Sequence, residues 1–136
     1  MYLLDTDHCV HLLRRKPGHQ VLRDQLKILD PGNVCLSAIT EAELRTGADK
    51  SSDPGKNHDL VSALLAMIPS MPFDSSAALK YGKIRSYLEQ SEQGIGPNDT
   101  LVAAHALSLD AVLTTRNLSA FQRVPALAVV NWIPDL

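Results

Sequence analysis

Short apolar runs alternate along the chain with longer segments in which apolar residues recur every three or four positions. Four runs are typical of buried strands, YLL, VCLS, AVLTT and LAVVNW, and MPF is a candidate for a fifth. Between them lie segments with helical spacing of apolar residues, such as CVHLL and LVSALLAMI. This alternation predicts an α/β protein, with a short parallel sheet of four to five strands flanked by helices on both faces.

Prolines and glycines mark the ends of several predicted helices. Pro17-Gly18 ends the first helix, and Pro69 ends the fourth. The segment SSDPGKN is predicted to be a loop, and Gly96-Pro97 opens a later helix. The length and the absence of any internal repeat indicate a single domain over 1–136.

Composition narrows the possible partners and the compartment. The hydrophobic content of 45% and the charged content of 21% are those of a globular protein. The formal charge of −2 gives no overall attraction to nucleic acid, so a nucleic-acid site would need a local basic patch. The two cysteines, Cys9 and Cys35, are interpreted as buried thiols. No signal-peptide pattern and no apolar run of about 18 residues is visible, which predicts a cytoplasmic protein.

Three acidic residues and one asparagine fall just after predicted strands or at the start of helices. They are Asp5 after the first strand, Glu43 one turn into the helix that follows the second strand, Asp99 in the first turn of the helix opened by Gly96-Pro97, and Asn117 after the fourth strand. The carboxyl ends of parallel strands meet at one edge of a sheet, so these side chains are predicted to converge. Carboxylate oxygens suit Mg²⁺, and such an ion activates water and stabilises charge on a phosphate.

Each of these residues also has a purely structural explanation. Asp5 is a suitable cap for the helix that follows it. Thr40 and Glu43 have the spacing of a capping box. Asp99 complements the positive end of its helix, and Asn117 suits a turn. The functional interpretation therefore depends on the convergence of all four at one edge.

Four segments in order, YLLDTD, SAITEAELRTGA, GIGPNDTLVAAHAL and VLTTRNLSAFQRVPALAVVNW, resemble those of PIN-domain ribonucleases. The likeness is greatest to the VapC toxins of bacterial toxin–antitoxin modules, and it covers nearly the whole chain. It implies a PIN-like fold and Mg²⁺- or Mn²⁺-dependent endonucleolytic cleavage of RNA, with tRNA a common target class. It also implies a homodimer and a VapB-type antitoxin that places a segment over the cleft. Contact with DNA would then be indirect, through the antitoxin.

The resemblance also implies roles for individual residues. Asp5, Glu43 and Asp99 match the metal-binding acids of the family, and Asn117 stands where many PIN domains have a fourth acid. Thr6 and Thr115 match hydroxyl positions that line the site. Since the toxins that this chain resembles often have Asn at the last position, Asn117 does not imply a loss of activity.

Two charged residues beside these positions need their own interpretation. Asp7 stands where the toxins usually have Asn. It is predicted either to contact the metal-binding residues without binding the ion itself or to cap the first helix. Arg116 precedes Asn117 at the proposed edge and is a candidate for contact with an RNA phosphate, with an ordinary surface arginine as the alternative. The cations Arg14, Arg15 and Lys16 are either a solvated helix end or a further RNA contact.

The sequence also bears on competing functions. The segment LLDTD resembles the D-x-D of haloacid-dehalogenase-type phosphatases, but that class also has an Asp-Asp pair and this chain has none. A histidine-based zinc site is disfavoured because no third ligand accompanies His8 and His11. The alternative that stays open is a catalytically inert PIN-like module that binds RNA or a protein partner.

Overall fold

Five short strands form one sheet at the centre of the computed structural model, which describes residues 1–134. The strands are β1 (Tyr2–Leu4), β2 (Val34–Ser37), β3 (Ser70–Met71), β4 (Val112–Thr114) and β5 (Val129–Val130). Every pairing is parallel, and the strand order is β3-β2-β1-β4-β5. The predicted short parallel sheet is therefore confirmed, at the upper end of the expected number of strands.

Seven α-helices cover this sheet in residues 1–134, together with a short 3-10 turn at Pro31–Asn33. The helices are α1 (Thr6–Arg14), α2 (His19–Lys27), α3 (Ala38–Asp49), α4 (Pro54–Met67), α5 (Ser75–Gln90), α6 (Pro97–Ser108) and α7 (Leu118–Phe121). Within this range no helix is both long and apolar enough to cross a membrane.

Alternation along β1 builds one core on each face of the sheet. Leu3 packs in a cluster with residues of α5 and α6, whereas the next residue, Leu4, packs in a cluster with residues of α1 to α4. Successive side chains of a strand point to opposite faces, which explains this division. Both leucines are fully buried, so helices flank both faces as predicted.

The central position of β1 decides where a site can form. Its residue Leu3 is paired with Cys35 of β2 on one side and with Leu113 of β4 on the other. The order of strands therefore reverses at β1, and the carboxyl ends of three neighbouring strands lie side by side. Crevices at such a reversal are where ligands bind in open α/β sheets.

Three local predictions were wrong. The loop predicted at SSDPGKN ends at Asp53, because Pro54 occupies the first turn of α4 and an Asp53 carboxylate oxygen accepts the Lys56 N–H (3.2 Å). The third strand is Ser70–Met71, where MPF was predicted. The capping box of Thr40 and Glu43 is absent, because Ser37 caps α3 and its Oγ accepts the Ile39 N–H (3.1 Å).

Buried polar and sulfur groups complete the picture of the interior. Cys9 and Cys35 are free, buried thiols, as predicted. His105 is buried between α6 and the sheet, where its Nδ1 lies 2.7 Å from Ser37 Oγ. Ser37 ends β2, so this pair ties α6 to the strand that leads into α3. This contact therefore holds α6 against the end of β2, next to the carboxyl edge of the sheet.

Candidate active site at the carboxyl edge of the sheet

Four polar side chains from four parts of the chain meet at this edge, and we call them the acid edge: Asp5, Glu43, Asp99 and Asn117. Asp5 follows β1, Glu43 lies in α3 after β2, Asp99 lies in the first turn of α6, and Asn117 lies between β4 and α7. Burial raises the pKa of each of the three carboxyls, the negative charge of another of them raises it further, and Asn117 hydrogen bonds to Asp99. The predicted convergence is therefore observed.

Asp5 is the most buried of the three acids, with 8% of its surface exposed. One carboxylate oxygen accepts the Thr6 N–H (2.8 Å) and the other accepts the Thr115 hydroxyl (2.9 Å). Burial raises the pKa of Asp5, and these two hydrogen bonds offset only part of that increase. Asp5 is also the N-cap of α1, so the structural and functional explanations of this residue are both compatible with its position.

Glu43 is held from the opposite side of the cleft by neutral groups. Its Oε1 accepts the Thr6 hydroxyl (3.0 Å), and its side chain also hydrogen bonds to Asn98. Burial raises the pKa of Glu43, with a smaller contribution from the negative charge of Asp5. Thr6 therefore contacts two acids, Asp5 through its backbone N–H and Glu43 through its hydroxyl.

Asp99 and Asn117 complete the edge from the other side. Burial raises the pKa of Asp99, the charge of Glu43 raises it further, and the hydrogen bond with the Asn117 side chain lowers it. The backbone N–H of Asn117 donates to Thr115 Oγ1 (3.0 Å), and that hydroxyl donates to Asp5. A short chain of hydrogen bonds thus links the segment after β4 to the acid after β1.

Asp7 and Arg116 lie at the rim. Arg116 Nη1 is 3.6 Å from Asp7 Oδ2, and both side chains are nearly half exposed. Asp7 Oδ1 also lies 3.6 Å from His11 Nδ1. The expectation that Asp7 caps α1 is wrong, since Asp5 has that position. Asp7 instead pairs with the cation that stands between Thr115 and Asn117.

The chemistry of the donors suits a hard divalent cation. Three carboxylates share the edge, and the groups that hydrogen bond to them in residues 1–134 are neutral hydroxyls, amides and N–H groups. No three His, Cys, Asp or Glu side chains of that range are arranged to enclose an ion by themselves. Mg²⁺ does not require such a cage, because it binds through one or two carboxylates and keeps several waters.

Two contributors were missed from the sequence. Asn98, which hydrogen bonds to Glu43, stands directly before Asp99 in GIGPNDT, and its polarity in a helix's first turn was the available signal. Thr40 is fully buried, and its Oγ1 lies 3.4 Å from the Thr6 hydroxyl. A hydroxyl inside the apolar face of α3 was the signal for that contact.

Similarity to known proteins covers the whole of this architecture. Residues 2–127 match the model of the PIN domain. The chain is 34% identical over 131 residues to the tRNA(fMet)-specific endonuclease VapC of Salmonella typhimurium, covering 96% of this chain and 97% of that protein. It is 34% identical over 133 residues to Ribonuclease VapC2 of Rickettsia felis, covering 97% and 98%. A chain of the DNA-bound VapBC from Salmonella typhimurium has a similar fold, with a TM-score of 0.90 and 32% identity over 96% of this chain and 97% of that one.

Proposed function

We propose that this chain, which belongs to the PIN domain family, is a metal-dependent endoribonuclease of the VapC type. The matches confirm the resemblance that the four sequence segments indicated. The observation that carries the proposal is the acid edge itself. Three carboxyls from separate elements have raised pKa values and only neutral hydrogen-bond donors, which leaves surplus negative charge in a crevice at the centre of the sheet.

Asp5, Glu43 and Asp99 are proposed to hold Mg²⁺ or Mn²⁺. When bound, such an ion lowers the pKa of water and stabilises the charge of the phosphate under attack. Asp5 is fixed for this role by Thr6 and Thr115, whose hydrogen bonds set the direction of its two oxygens. Asn117 orients Asp99 through their hydrogen bond and is not itself charged, so its role is positioning.

Arg116 is proposed to contact the RNA backbone at this edge. In the chain it lies between Thr115 and Asn117, which hydrogen bond to Asp5 and Asp99, and its guanidinium is at the rim, 3.6 Å from Asp7. Asp7 balances the charge of Arg116 and holds it at the rim in the absence of RNA. Arg116 thereby supplies a local positive charge at this edge in a chain whose formal charge is −2.

The substrate and partners are proposed from the relatives. The Salmonella relative is named for action on tRNA(fMet), and tRNA is the substrate class proposed here. The structural relative is a VapBC complex bound to DNA. We therefore expect neutralisation by a VapB-type antitoxin, contact with DNA only through that antitoxin, a homodimer of this chain and a cytoplasmic location.

The test is cleavage of total tRNA by the partner-free protein, with Mg²⁺, with Mn²⁺ and with EDTA. Wild type is expected to give discrete fragments with either ion and none with EDTA. Asp99→Asn is expected to lose cleavage, and Asp59→Asn, which changes an exposed aspartate on α4, is the matched control. Cleavage by Asp99→Asn at the wild-type rate would refute the proposal. RNA binding without cleavage under every condition would favour the inert binding module.

A further inference from the structure

A cleft of about 270 Å³ runs from the acid edge along α3 toward the start of α4. Thr6 and Glu43 line its inner end, Gly47 lies on its floor, and Arg14, Ser51 and Asn57 line its outer part. We call it the Gly47 cleft. Glu43 belongs to the acid edge, and Thr6 hydrogen bonds to both Asp5 and Glu43, so an occupant of the cleft lies next to whatever binds the acids.

Gly47 keeps this floor open at a cost to the helix. It lies inside α3, where glycine is among the least favourable residues, yet a Cβ at this position would meet no atom within 4 Å. Packing therefore does not require glycine there. A side chain at position 47 would instead project into the cleft, four residues or roughly 6 Å of helix rise from Glu43.

Asn57 presents an acceptor with a fixed direction. Its Nδ2 donates to Ser51 Oγ and to the backbone carbonyl of Asp53, both at 2.9 Å. Ser51 Oγ in turn donates to the Ala48 carbonyl (2.6 Å), so that hydroxyl accepts from Asn57 and the amide cannot be reversed without losing both bonds. Among the described residues, Asn57 Oδ1 has no hydrogen-bond partner.

We infer that the Gly47 cleft binds one unstacked nucleotide of an RNA whose scissile phosphate lies at the acid edge. This inference rests on the proposed function. The aliphatic side chains of Val10, Leu13 and Leu60 line the cleft and suit the faces of a base. Asn57 Oδ1 accepts an N–H from the base edge, and Arg14 contacts the adjoining phosphate. Single-stranded RNA is read in this way, by splayed bases held between side chains and hydrogen bonded at their edges.

An RNA occupant is favoured over a peptide by the two ends of the cleft. At the inner end, a divalent cation held by the carboxylates, as proposed above, would attract a phosphodiester. At the outer end Arg14 is exposed and close to the cleft, where it attracts a second phosphate. A peptide segment would satisfy the aliphatic walls but would need a basic side chain at the carboxylates and an acidic side chain at Arg14, whereas one RNA strand supplies a phosphate for each end.

The test fills the cleft without disturbing the fold. Gly47→Met and the smaller Gly47→Ala place side chains into it, and both residues favour helix more than glycine does. Gly55→Met is the matched control, because Gly55 lies on α4, also faces open space, and does not line the cleft. Binding of fluorescein-labelled RNA hexamers (A6, C6 and U6) is measured by anisotropy with Ca²⁺ in place of Mg²⁺, so that a cation is present at the acid edge, and thermal melting verifies folding.

We expect Gly47→Met to weaken hexamer binding about tenfold and to raise the KM for tRNA similarly, with kcat nearly unchanged. Gly47→Ala should have a smaller effect in the same direction, and Gly55→Met should stay within about twofold of wild type. A folded Gly47→Met protein with wild-type affinity and KM would overturn the inference. Unchanged RNA binding by Gly47→Met, combined with loss of its binding to a co-expressed antitoxin, would also overturn the inference. That result would assign the cleft to a protein partner.

The two proposals fail separately. If the wild-type protein binds hexamers and Gly47→Met binds them more weakly, but neither cleaves RNA, the nuclease proposal is refuted and the nucleotide site in the Gly47 cleft is supported. If the wild-type protein cleaves tRNA with metal and Gly47→Met does so equally well, the nucleotide site in the Gly47 cleft is refuted and the nuclease proposal is supported. Absence of both binding and cleavage in wild type overturns both.

Discussion

Two clusters of charged and polar side chains flank the same helix, α3, and they differ in charge balance. One is the acid edge. The other is the Arg45 cluster, formed by Arg45, Asp49, His58 and Ser62 between α3 and α4. Arg45 Nη1 donates to the His58 carbonyl (3.0 Å) and lies 3.1 Å from His58 Nδ1, and Arg45 Nη2 donates to Ser62 Oγ (3.1 Å). His58 Nε2 lies 2.7 Å from Asp49 Oδ1.

In the Arg45 cluster, the charged and hydrogen-bonding groups are paired with one another. Because the arginine can only donate, His58 Nδ1 accepts and Nε2 carries the proton that is shared with Asp49. One positive and one negative group are then joined through a neutral ring. The acid edge has three acids and neutral donors, and burial raises the pKa of each acid. A closed network stabilises the fold, whereas an open network of one sign is unfavourable until a ligand supplies the opposite charge.

The largest expected effect comes from removing one charge of the acid edge without removing its structural role. Asp5→Asn keeps an N-cap for α1, because asparagine caps helices as well as aspartate does. Cleavage should fall by about two orders of magnitude or more, since one of the three proposed cation ligands is lost. The melting temperature of the metal-free protein should be unchanged or higher. Retention of cleavage, or a large loss of stability, would contradict this contrast.

The Arg45 cluster should show the opposite result. Arg45→Ala removes the donor to His58 and Ser62, and the free energy of unfolding should fall by about 1–2 kcal/mol. Cleavage per folded molecule should stay close to wild type. Arg85→Ala is the control, because the contacts of Arg85 with Glu89 and with the Tyr81 hydroxyl are both exposed, so the change should affect stability little. Denaturant unfolding of the three proteins measures the difference.

The raised pKa values predict how stability depends on pH in EDTA. Between the ordinary values, 3.8 for aspartate and 4.5 for glutamate, and the raised values in the fold, the folded chain binds more protons than the unfolded chain. The free energy contributed by these groups is therefore lost as the pH rises through this window. Asp99→Asn should reduce that slope, and Asp59→Asn should not. Equal slopes in both variants would show that the acid edge is not the cause.

The smallest effect is expected at the rim. Asp7→Asn removes the partner of Arg116, and stability should change little because the pair is half exposed. RNA affinity should rise severalfold at low salt, because Arg116 can then bind a phosphate without first breaking its contact with the Asp7 carboxylate. Arg116→Gln should lower affinity and reduce the salt dependence of binding by about one ion. If Asp7→Asn has the same effect in the Arg116→Gln background, the two residues are not coupled.

The sequence was sufficient for the main elements of the acid edge, because Asp5 and Asn117 follow strands, Asp99 lies in the first turn of α6, and Glu43 lies one turn into the helix after β2. Asp5, Glu43, Asp99 and Asn117 are all placed by these positions and by the parallel order of the sheet. Their roles as ligands or positioning groups remain predictions that the experiments above address. Local order along the chain was thus enough to bring four distant positions together.

The hydrogen bonds that hold these residues could not be predicted. Thr115 donates to Asp5 across 110 positions, and Thr6 donates to Glu43 across 37. These contacts depend on how α1, α3 and the segment after β4 are packed, which periodicity does not specify. The predicted starts of α3 and α4 were wrong for a related reason. Asp53-Pro54 is equally typical of a turn and of a capped helix, and Ser37 and Thr40 are equally suitable caps in isolation.

The most direct test of the account is calorimetric titration of Mn²⁺ into the partner-free protein at neutral pH, without RNA. Wild type, Arg45→Ala and Asp59→Asn should bind the ion with closely similar affinity, because all three retain the acid edge. Asp99→Asn should bind it at least about tenfold more weakly, since one of three carboxylates is lost. Equal binding by Asp99→Asn and wild type, or no binding by any of them, would contradict the claim that the surplus charge of the acid edge forms a cation site.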